Sequence, residues 1–315
     1  MNPSRANQSS DHDLGHESDR NSRGQEGSES RSQGGAQRED HDRGGQVGGP
    51  GAPVDVDALF GLAERAADAA GAILMKHFGR ATIEFKGVVN LVTNADKEAE
   101  AEIIRLIQKA HPDHGIVAEE TGEQAARSAV RWIIDPIDGT TNYAHGLPVF
   151  AVSIGVEVNG EIAAGVIYNP ATGEKFTAIR GRGAQRNGEP IKVSNVKELE
   201  HSLLVTGFPY TVRETRLNNI DHFENFIYTA QALRRLGSAA LDMAYVALGA
   251  FDGYWEPEIK PWDIAAGWLI VEEAGGRVTD MRGRPFRLGT GNILATNGLV
   301  HDEMLAVIAR GKSGL

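Results

Sequence analysis

The segment Trp132–Asn142 (WIIDPIDGTTN) has the clearest capacity for chemistry in this chain. An apolar run ends at Asp135, and Asp138 follows three residues later on a predicted turn. Paired carboxylates bind hard cations, and the step from Gly139 to Thr140 can present backbone N–H groups to a phosphate. Asp, Pro and Gly in this order are also common in plain turns. The strand before them and the threonines after them favour a metal–phosphate site.

Other acids stand where helices or strands are predicted to begin or end. Glu119 and Glu120 follow the apolar run Gly115–Ala118, while Asp96 and Asp263 begin helices. Each has an ordinary alternative role, because paired glutamates usually face solvent and an acid at a helix start caps the helix or complements its dipole. Taken together, five acids at element ends predict carboxylate–metal chemistry on a phosphate: Asp96, Glu119, Asp135, Asp138 and Asp263.

Composition excludes several other classes of site. The 315 residues include no cysteine, which removes disulfides, thiolate metal sites and cysteine nucleophiles, and fits the reducing cytoplasm. The sequence has no Walker loop, dinucleotide fingerprint or Gly-x-Ser-x-Gly elbow. A net charge of -11 makes nucleic acid an improbable partner, and no apolar run is long enough to predict a membrane span.

The elements that must position these acids alternate between helices and short strands. Strands are predicted at Gly115–Ala118, Val130–Ile134, Phe150–Val158, Ile162–Tyr168, Lys175–Ile179, Leu203–Thr206, Asp252–Glu256 and around Ile293–Ala295. Helices are predicted from an N-cap at Asp57 to Phe78, after Thr93 or Asn94, and at Asp221–Leu233, Ser238–Leu248, Asp263–Glu273 and Asp302–Arg310. Asn159-Gly160 predicts a hairpin. The pattern indicates mixed sheets with helices on their faces, in two joined α/β halves.

The first 53 residues differ from the rest of the chain. They are mostly Gly, Ser, Asp, Glu, Arg, Gln and His, and Leu14 and Val47 are the only large aliphatic residues after Met1. Such a segment buries too little apolar surface to offset its conformational entropy. We therefore predict a disordered polar tail over residues 1–53 and a folded catalytic domain over residues 54–315.

Five segments of this domain together resemble the inositol monophosphatase family, within the metal-dependent, lithium-sensitive sugar phosphatases. In the family's order, they are Val92–Asp96, Glu119–Glu120, Trp132–Asn142, Gly237–Asp242 and Trp262–Gly267. The resemblance implies an α+β fold built as a layered α/β/α/β/α sandwich, and a homodimer. It also implies that water, activated at a site with two or three Mg²⁺ ions, cleaves a phosphate monoester.

The resemblance assigns roles to individual residues. The implied metal ligands are Glu119, Asp135, the carbonyl of Ile137, Asp138 and Asp263. The implied catalytic residues are Thr140, with Glu119 or Asp96 behind it, which orient and deprotonate the attacking water. The implied substrate contacts are Ile137, Asp138, Gly139, Thr140, Gly237, Ser238, Ala239, Glu256 and Asp263, with Lys86 as a looser match near the phosphate. Pro257, beside Glu256, departs from the family's usual glycine-containing segment and is expected to reshape the wall that faces the alcohol.

The expected reaction is hydrolysis of inositol 1-phosphate, or of a similar small sugar-alcohol phosphate, to the free alcohol and phosphate. A broader sugar phosphatase acting on fructose 1,6-bisphosphate or on nucleotide 3′-phosphates is an alternative, and so is a regulatory binding protein with the same fold. Thr141 occupies the position after Asp-Gly-Thr where nucleotidases and histidinol phosphatases often carry a basic residue. Its presence favours the inositol phosphatase branch.

Overall fold

A computed structural model of the chain describes residues 54–85, 91–125 and 127–311. The predicted tail, residues 1–53, and the predicted phosphate-side residue Lys86 lie outside them. Seven α-helices are described: Val56–His77 (α1), Asn94–Ala110 (α2), Thr140–Ala144 (α3), Ile220–Ile227 (α4), Ala239–Ala247 (α5), Pro261–Glu273 (α6) and His301–Ile308 (α7). A 3₁₀ helix spans Leu199–His201.

Fifteen strands lie within the same described ranges. The first ten are Ile83–Phe85 (β1), Leu91–Thr93 (β2), Gly115–Ala118 (β3), Gly122–Gln124 (β4), Val130–Asp138 (β5), Ala151–Val158 (β6), Glu161–Asn169 (β7), Glu174–Ile179 (β8), Ala184–Arg186 (β9) and Glu189–Ile191 (β10). The rest are Leu203–Thr206 (β11), Ala232–Arg234 (β12), Gly253–Pro257 (β13), Arg277–Thr279 (β14) and Asn292–Thr296 (β15).

The strands form a two-stranded ribbon, β1-β2, and two mixed sheets. The larger sheet has the order β10-β9-β8-β7-β6-β5-β3-β4, and only its β3–β5 pair is parallel. The smaller has the order β12-β11-β13-β15-β14, with β11 parallel to both of its neighbours. The Asn159-Gly160 step joins β6 to β7 with both residues at positive φ, as the predicted hairpin requires.

Alternating side chains on the strands separate three apolar cores. On β5, Trp132 and Ile134 face a core shared with α1 and α2, while Ile133 faces a core shared with α5 and α6. On β13, Tyr254 faces that same α5–α6 core, whereas Trp255 faces a third core with α4 and α7. Both sheets are therefore covered on both faces, and the order of layers is helix, sheet, helix, sheet, helix. The predicted α/β/α/β/α sandwich is confirmed.

Glycines let α6 approach the larger sheet closely. A Cβ atom on Gly155 would lie 2.8 Å from the Cβ of Ala265, and one on Gly165 would lie 2.9 Å from the carbonyl oxygen of Ala266. The hydroxyl of Ser153 donates to the carbonyl of Trp262 at 3.3 Å, which fixes the start of α6 against β6. These contacts place Asp263 beside the end of β5.

Two helix starts differ from the sequence prediction. The N-cap of α1 is Asp55, whose carboxylate accepts the N–H of Ala58, and Asp57 lies inside the first turn. Helix α6 begins at Pro261 after the N-cap Lys260, so Asp263 is its third residue and not its first. Proline suits the first helical position because its missing N–H would have no partner within the helix.

The predicted helix Asp221–Leu233 was wrong in its second half. Helix α4 ends at Ile227, and Ala232–Arg234 instead forms β12, which pairs in parallel with β11. The pattern of apolar and polar residues in this segment is compatible with a helix or a strand. Pairing with β11 decides in favour of the strand, because it supplies hydrogen-bond partners for the backbone groups of Ala232–Arg234. The strand predicted at Val130–Ile134 continues for four more residues, to Asp138, and the other predicted helices and strands are observed with shifts of one or two residues at their ends.

Candidate active site

The ends of β3 and β5 bring the first carboxylates together. The two strands are parallel, with Ala118 opposite Ile134, and the N–H of Glu119 donates to the carbonyl of Ile134 at 3.3 Å. Glu119 and Asp135 therefore leave adjacent strands at the same edge of the sheet. Glu100 on α2 holds the following turn, since its carboxylate accepts the N–H groups of Glu120 and Thr121 at 2.9 and 2.8 Å.

A bulge, and not the predicted turn, places Asp138 beside Asp135. In the pairing of β5 with β6, Asp135 is opposite Ser153 and Asp138 is opposite Ala151, so two residues of β5 oppose one of β6. Residues three apart on a regular strand face opposite sides, and the extra residue brings both aspartates to one side. The carboxylate of Asp135 also accepts the N–H of Ile137 at 2.9 Å.

The start of α5 holds Asp138 in place. One oxygen of its carboxylate accepts the Ser238 hydroxyl at 2.6 Å and the Ala240 N–H at 2.7 Å. Ser238 is also the N-cap of α5, so the positive end of the helix dipole faces this carboxylate. Gly237, Ser238 and Ala239, predicted as substrate contacts, thus stand behind Asp138 and are not among the residues that line the cavity described below.

Asp263 on α6 completes a cluster of three aspartates. One carboxylate oxygen from each of Asp135, Asp138 and Asp263 lies within 4.8 Å of the other two. The carboxylate of Asp263 also accepts the N–H of Lys260 at 3.0 Å. Three carboxylates this close repel one another unless they bind protons or a cation.

Burial makes this repulsion costly. It is the main cause that raises the pKa of Asp135 well above its ordinary value, followed by the charges of Glu119 and Asp138. Burial also raises the pKa of Asp263 well above normal, and that of Asp138 to about 6, although the hydrogen bond from Ser238 lowers the latter. An all-oxygen, mutually repelling donor set of this kind suits a hard cation such as Mg²⁺.

Asp96 reaches the site through Thr140. One oxygen of the buried Asp96 carboxylate accepts the N–H and the hydroxyl of Thr93, both at 2.7 Å, which fixes the start of α2. The hydroxyl of Thr140 lies 3.3 Å from the other oxygen of Asp96 and 3.0 Å from the carbonyl of Ile137. Thr140 thus connects the buried acid to the cavity.

Gly139 allows the backbone to turn between Asp138, at the end of β5, and Thr140, at the start of α3. Its φ is +98°, and a Cβ atom there would lie 2.9 Å from the carbonyl oxygen of Val149. Both the positive φ and the close approach require glycine. The side-chain amide of Asn142 then donates to the carbonyls of Val149 and Leu236 at 2.8 Å each, which ties this segment to the start of α5.

These residues surround a cavity of about 200 Å³. Its inner wall contains the predicted residues Glu119, Asp135, Ile137, Asp138, Gly139, Thr140 and Asp263, and its outer wall contains Glu256. Glu256 is buried and accepts the Tyr254 hydroxyl at 2.8 Å. Pro257 pairs with Asn292 as the last residue of β13 and leaves Glu256 in the cavity wall.

Most residues of the outer wall were not predicted from the sequence. The cavity is also lined by Phe208, Pro209, Tyr210, Thr211, Glu258, Ile259, Lys260 and Trp262. The segment beginning Gly207-Phe-Pro-Tyr follows the predicted strand Leu203–Thr206, and glycine, proline and aromatic residues at a strand end could have indicated a wall of the site.

The sequence profile of the inositol monophosphatase family matches residues 55–312. This range contains every described residue of the cavity. The chain belongs to the inositol monophosphatase family.

Relatives and solved structures agree with this membership. An inositol-1-monophosphatase from Synechocystis is 45% identical over 260 residues, covering 82% of this chain and 91% of that protein. The Nus factor SuhB of Escherichia coli is 44% identical over 252 residues, covering 79% and 94%. The structure of inositol monophosphatase from Anabaena matches with a TM-score of 0.76 and 45% identity, over 82% of this chain and 98% of that one.

As a member of this family, the chain has the fold and the acidic cavity of a phosphatase. The two names carried by its relatives, inositol-1-monophosphatase and Nus factor SuhB, occur at nearly equal identity. Within the described part of the chain, no helix is long and apolar enough to cross a membrane.

Proposed function

We propose that this protein is a magnesium-dependent phosphomonoesterase that hydrolyses inositol 1-phosphate to myo-inositol and phosphate. The observation that carries the proposal is the convergence of Asp135, Asp138 and Asp263 with Glu119 in one cavity of about 200 Å³. A cavity of this size, at the small end for ligand sites, suits a small phosphorylated alcohol.

The proposed metal ligands are the carboxylates of Glu119, Asp135, Asp138 and Asp263, together with the carbonyl of Ile137. When bound, Mg²⁺ supplies Lewis-acid activation of water and neutralises charge on the phosphate. The acids of the chain cannot by themselves attract a phosphate dianion, because they carry the same sign of charge. Their role in this proposal is to hold positive charge at the inner end of the cavity.

The proposed attack on phosphorus begins with a water held by Thr140. The Thr140 hydroxyl donates towards Asp96 or the Ile137 carbonyl, which leaves its oxygen able to accept a hydrogen bond from the water through the proton that is lost in the attack. Glu119 or Asp96 would take that proton as the water oxygen bonds to phosphorus and the bond to the alcohol oxygen breaks, and the leaving alkoxide would take up a proton from solvent water. Backbone N–H groups of Gly139 and Thr140 would hold the phosphate oxygens, and Glu256 would accept hydroxyl groups of the alcohol.

Asp135→Asn tests the metal site. We expect phosphate release from inositol 1-phosphate in Mg²⁺ to fall by about a thousandfold, because an amide removes one charge from the ligand set. Asn can still accept the Ile137 N–H, so the variant should fold. The control is Asp113→Asn, at an exposed position outside the cavity. Activity of Asp135→Asn equal to that of the wild type would contradict the metal assignment.

A panel of substrates tests the alcohol. Phosphate release should be fastest from inositol 1-phosphate, slower from fructose 1,6-bisphosphate and adenosine 3′,5′-bisphosphate, abolished by EDTA and lowered by lithium. Comparable rates on fructose 1,6-bisphosphate would instead indicate a broader sugar phosphatase.

A regulatory binding function is a second candidate, favoured by the 44% identity to the SuhB proteins. The two functions separate in Asp135→Asn, since binding to a macromolecular partner should survive a change that abolishes turnover. Folded wild-type protein that releases no phosphate from any substrate in the panel would favour the binding function. We also propose that the protein acts in the cytoplasm and as a homodimer.

A further inference from the structure

Part of the outer wall of the cavity is a loop, residues 207–219, that joins β11 to α4. Four consecutive residues of this 207–219 loop line the cavity that contains the aspartate cluster: Phe208, Pro209, Tyr210 and Thr211. The loop starts directly against the alcohol side of the site, because a Cβ atom on Gly207 would overlap the carboxylate of Glu256. Whatever fills the cavity next to Glu256 therefore meets this loop.

The base of the loop is fastened by Asn219. This residue is fully buried at a positive φ of 69°, and its side-chain amide donates to the carbonyl of Gly207 at 2.6 Å and to the hydroxyl of Thr206 at 2.8 Å. Its side-chain oxygen accepts the indole N–H of Trp255 at 2.7 Å. One side chain thus joins both ends of the loop to β13.

Glu258 fastens the middle of the loop. Its carboxylate accepts the hydroxyls of Thr211 at 2.5 Å and Thr215 at 3.0 Å, and the residue has a positive φ of 59°, which is uncommon outside glycine. The ring of Phe208 packs on Phe223 of α4, with centroids 5.5 Å apart. The loop is therefore held at its base by Asn219, in its middle by Glu258 and at Phe208 by the packing on α4. Tyr210 lies between Phe208 and Thr211, two of the residues held in this way.

Tyr210 combines an aromatic ring and a hydroxyl group in this wall. Its surface is 58% exposed, and no described residue forms a hydrogen bond with its hydroxyl. Tyr210 lines the same cavity as Glu119, Asp138 and Asp263, and its partial burial, together with the charges of these acids, raises the pKa of the hydroxyl above the ordinary value. The phenol accordingly keeps its proton and is available as a hydrogen-bond donor.

We propose that Tyr210 binds the substrate, with its hydroxyl donating a hydrogen bond to a hydroxyl group of the alcohol part and its ring covering that part of the molecule. This inference rests on the proposed phosphatase function and deepens it. Glu256 accepts hydrogen bonds on one side of the alcohol and Tyr210 donates on the other. The pair selects a leaving group with several free hydroxyl groups over one with none, since only the former can form hydrogen bonds with both Glu256 and Tyr210.

Tyr210→Phe is the test, because it removes the hydroxyl and keeps the ring. With inositol 1-phosphate we expect KM to rise about three- to tenfold and kcat to stay within about twofold, the pattern for loss of binding shared by ground and transition states. With phenyl phosphate, whose leaving group carries no further hydroxyl, both constants should equal those of the wild type. The control is Tyr228→Phe, at an 80% exposed tyrosine outside the cavity.

The outcomes separate this inference from the function on which it rests. Wild-type protein that hydrolyses both substrates, with Tyr210→Phe unchanged on each, would overturn the inference alone. An equal loss on inositol 1-phosphate and phenyl phosphate would also overturn it, because the hydroxyl would then act on the phosphate and not on the alcohol. Wild-type protein inactive on both substrates would overturn the phosphatase function and the inference with it.

Discussion

Glu256 is buried in the cavity wall, where its carboxylate accepts the hydroxyl of Tyr254. Burial raises the pKa of this carboxyl group from 4.5 to about 7, against the hydrogen bond, which lowers it. A carboxyl group whose pKa is higher in the folded state binds its proton more tightly there than in the unfolded chain. The resulting stabilisation is complete below about pH 4.5 and is lost as the pH rises through about 7.

Glu256→Gln measures this effect. In EDTA at pH 8 the variant should be about 1–3 kcal/mol more stable than the wild type, because Gln carries no buried charge, and the difference should vanish near pH 4.5. Denaturant unfolding at the two pH values provides the measurement. Glu161→Gln, at an exposed position on β7, is the matched control. A wild type that is as stable as Glu256→Gln at pH 8 would show that Glu256 carries no such penalty.

At the residue scale, the sequence predicts the acids better than the wall around them. Asp135 and Asp138 end an apolar run beside Gly139, so their type and place in the chain indicate a site. Glu258 belongs to no recognisable pattern, and the only sequence signal for Tyr210 is its place in a Gly-Phe-Pro-Tyr segment after a strand. Their roles depend on contacts across more than forty positions of the chain, such as the hydrogen bond between Thr211 and Glu258, which local sequence does not encode.

At the element scale, the position of α6 depends on the two glycines beneath it. Gly165→Ala should destabilise the protein by about 1–3 kcal/mol and weaken Mg²⁺ binding, because the new Cβ pushes α6, and with it Asp263, away from the sheet. Thermal unfolding and a Mg²⁺ titration of activity are the measurements. Gly61→Ala in α1, where a Cβ atom meets only Arg65 at 3.4 Å, should instead stabilise by up to about 1 kcal/mol. If the Mg²⁺ dependence of Gly165→Ala equals that of the wild type, metal binding does not depend on this contact between α6 and the sheet.

Elements with strong local signals were predicted and those decided by pairing were not. Thr93 caps α2 as one of the two expected positions, and the hairpin at Asn159-Gly160 is present. Strand β12 was predicted as helix because its place is set by hydrogen bonds to β11, some thirty residues earlier. The bulge in β5 likewise arises from pairing with β6, and only a turn was visible from the sequence.

At the scale of the whole molecule, α4 presents an apolar face to solvent. Ile220 and Ile227, seven residues apart and so on one face of the helix, are 54% and 55% exposed, and Tyr228 beside them is 80% exposed. An exposed apolar face of this kind fits the proposed homodimer. Light scattering should give twice the chain mass of 33.8 kDa.

The double variant Ile220→Asp/Ile227→Asp should halve that mass, since it introduces charge into the face. Met75→Asp, at a 39% exposed position on α1, should leave the mass unchanged. A monomeric wild type would contradict the homodimer. Loss of the dimer in Met75→Asp and not in the α4 variant would place the interface elsewhere.

The layer order came from the resemblance to the family and not from periodicity. Alternation and helix length predict which elements exist, but the order of strands in a sheet follows from contacts between distant parts of the chain. The sequence indicated two α/β halves. The structure shows instead that α5 and α6 form a layer shared by both sheets.

The shared layer also sets the time at which the site can form during synthesis. Asp135 and Asp138 are made early, but Asp263, which completes the cluster, lies on α6 in the second half of the chain. At ordinary rates of translation the intervening segment takes roughly 6 to 25 seconds to make. Until then the early carboxylates can stay hydrated, and their repulsion is weak in water. The carboxylates of the nascent chain are therefore brought close together only when α6 packs against the sheet. A cation that binds at this step offsets their repulsion.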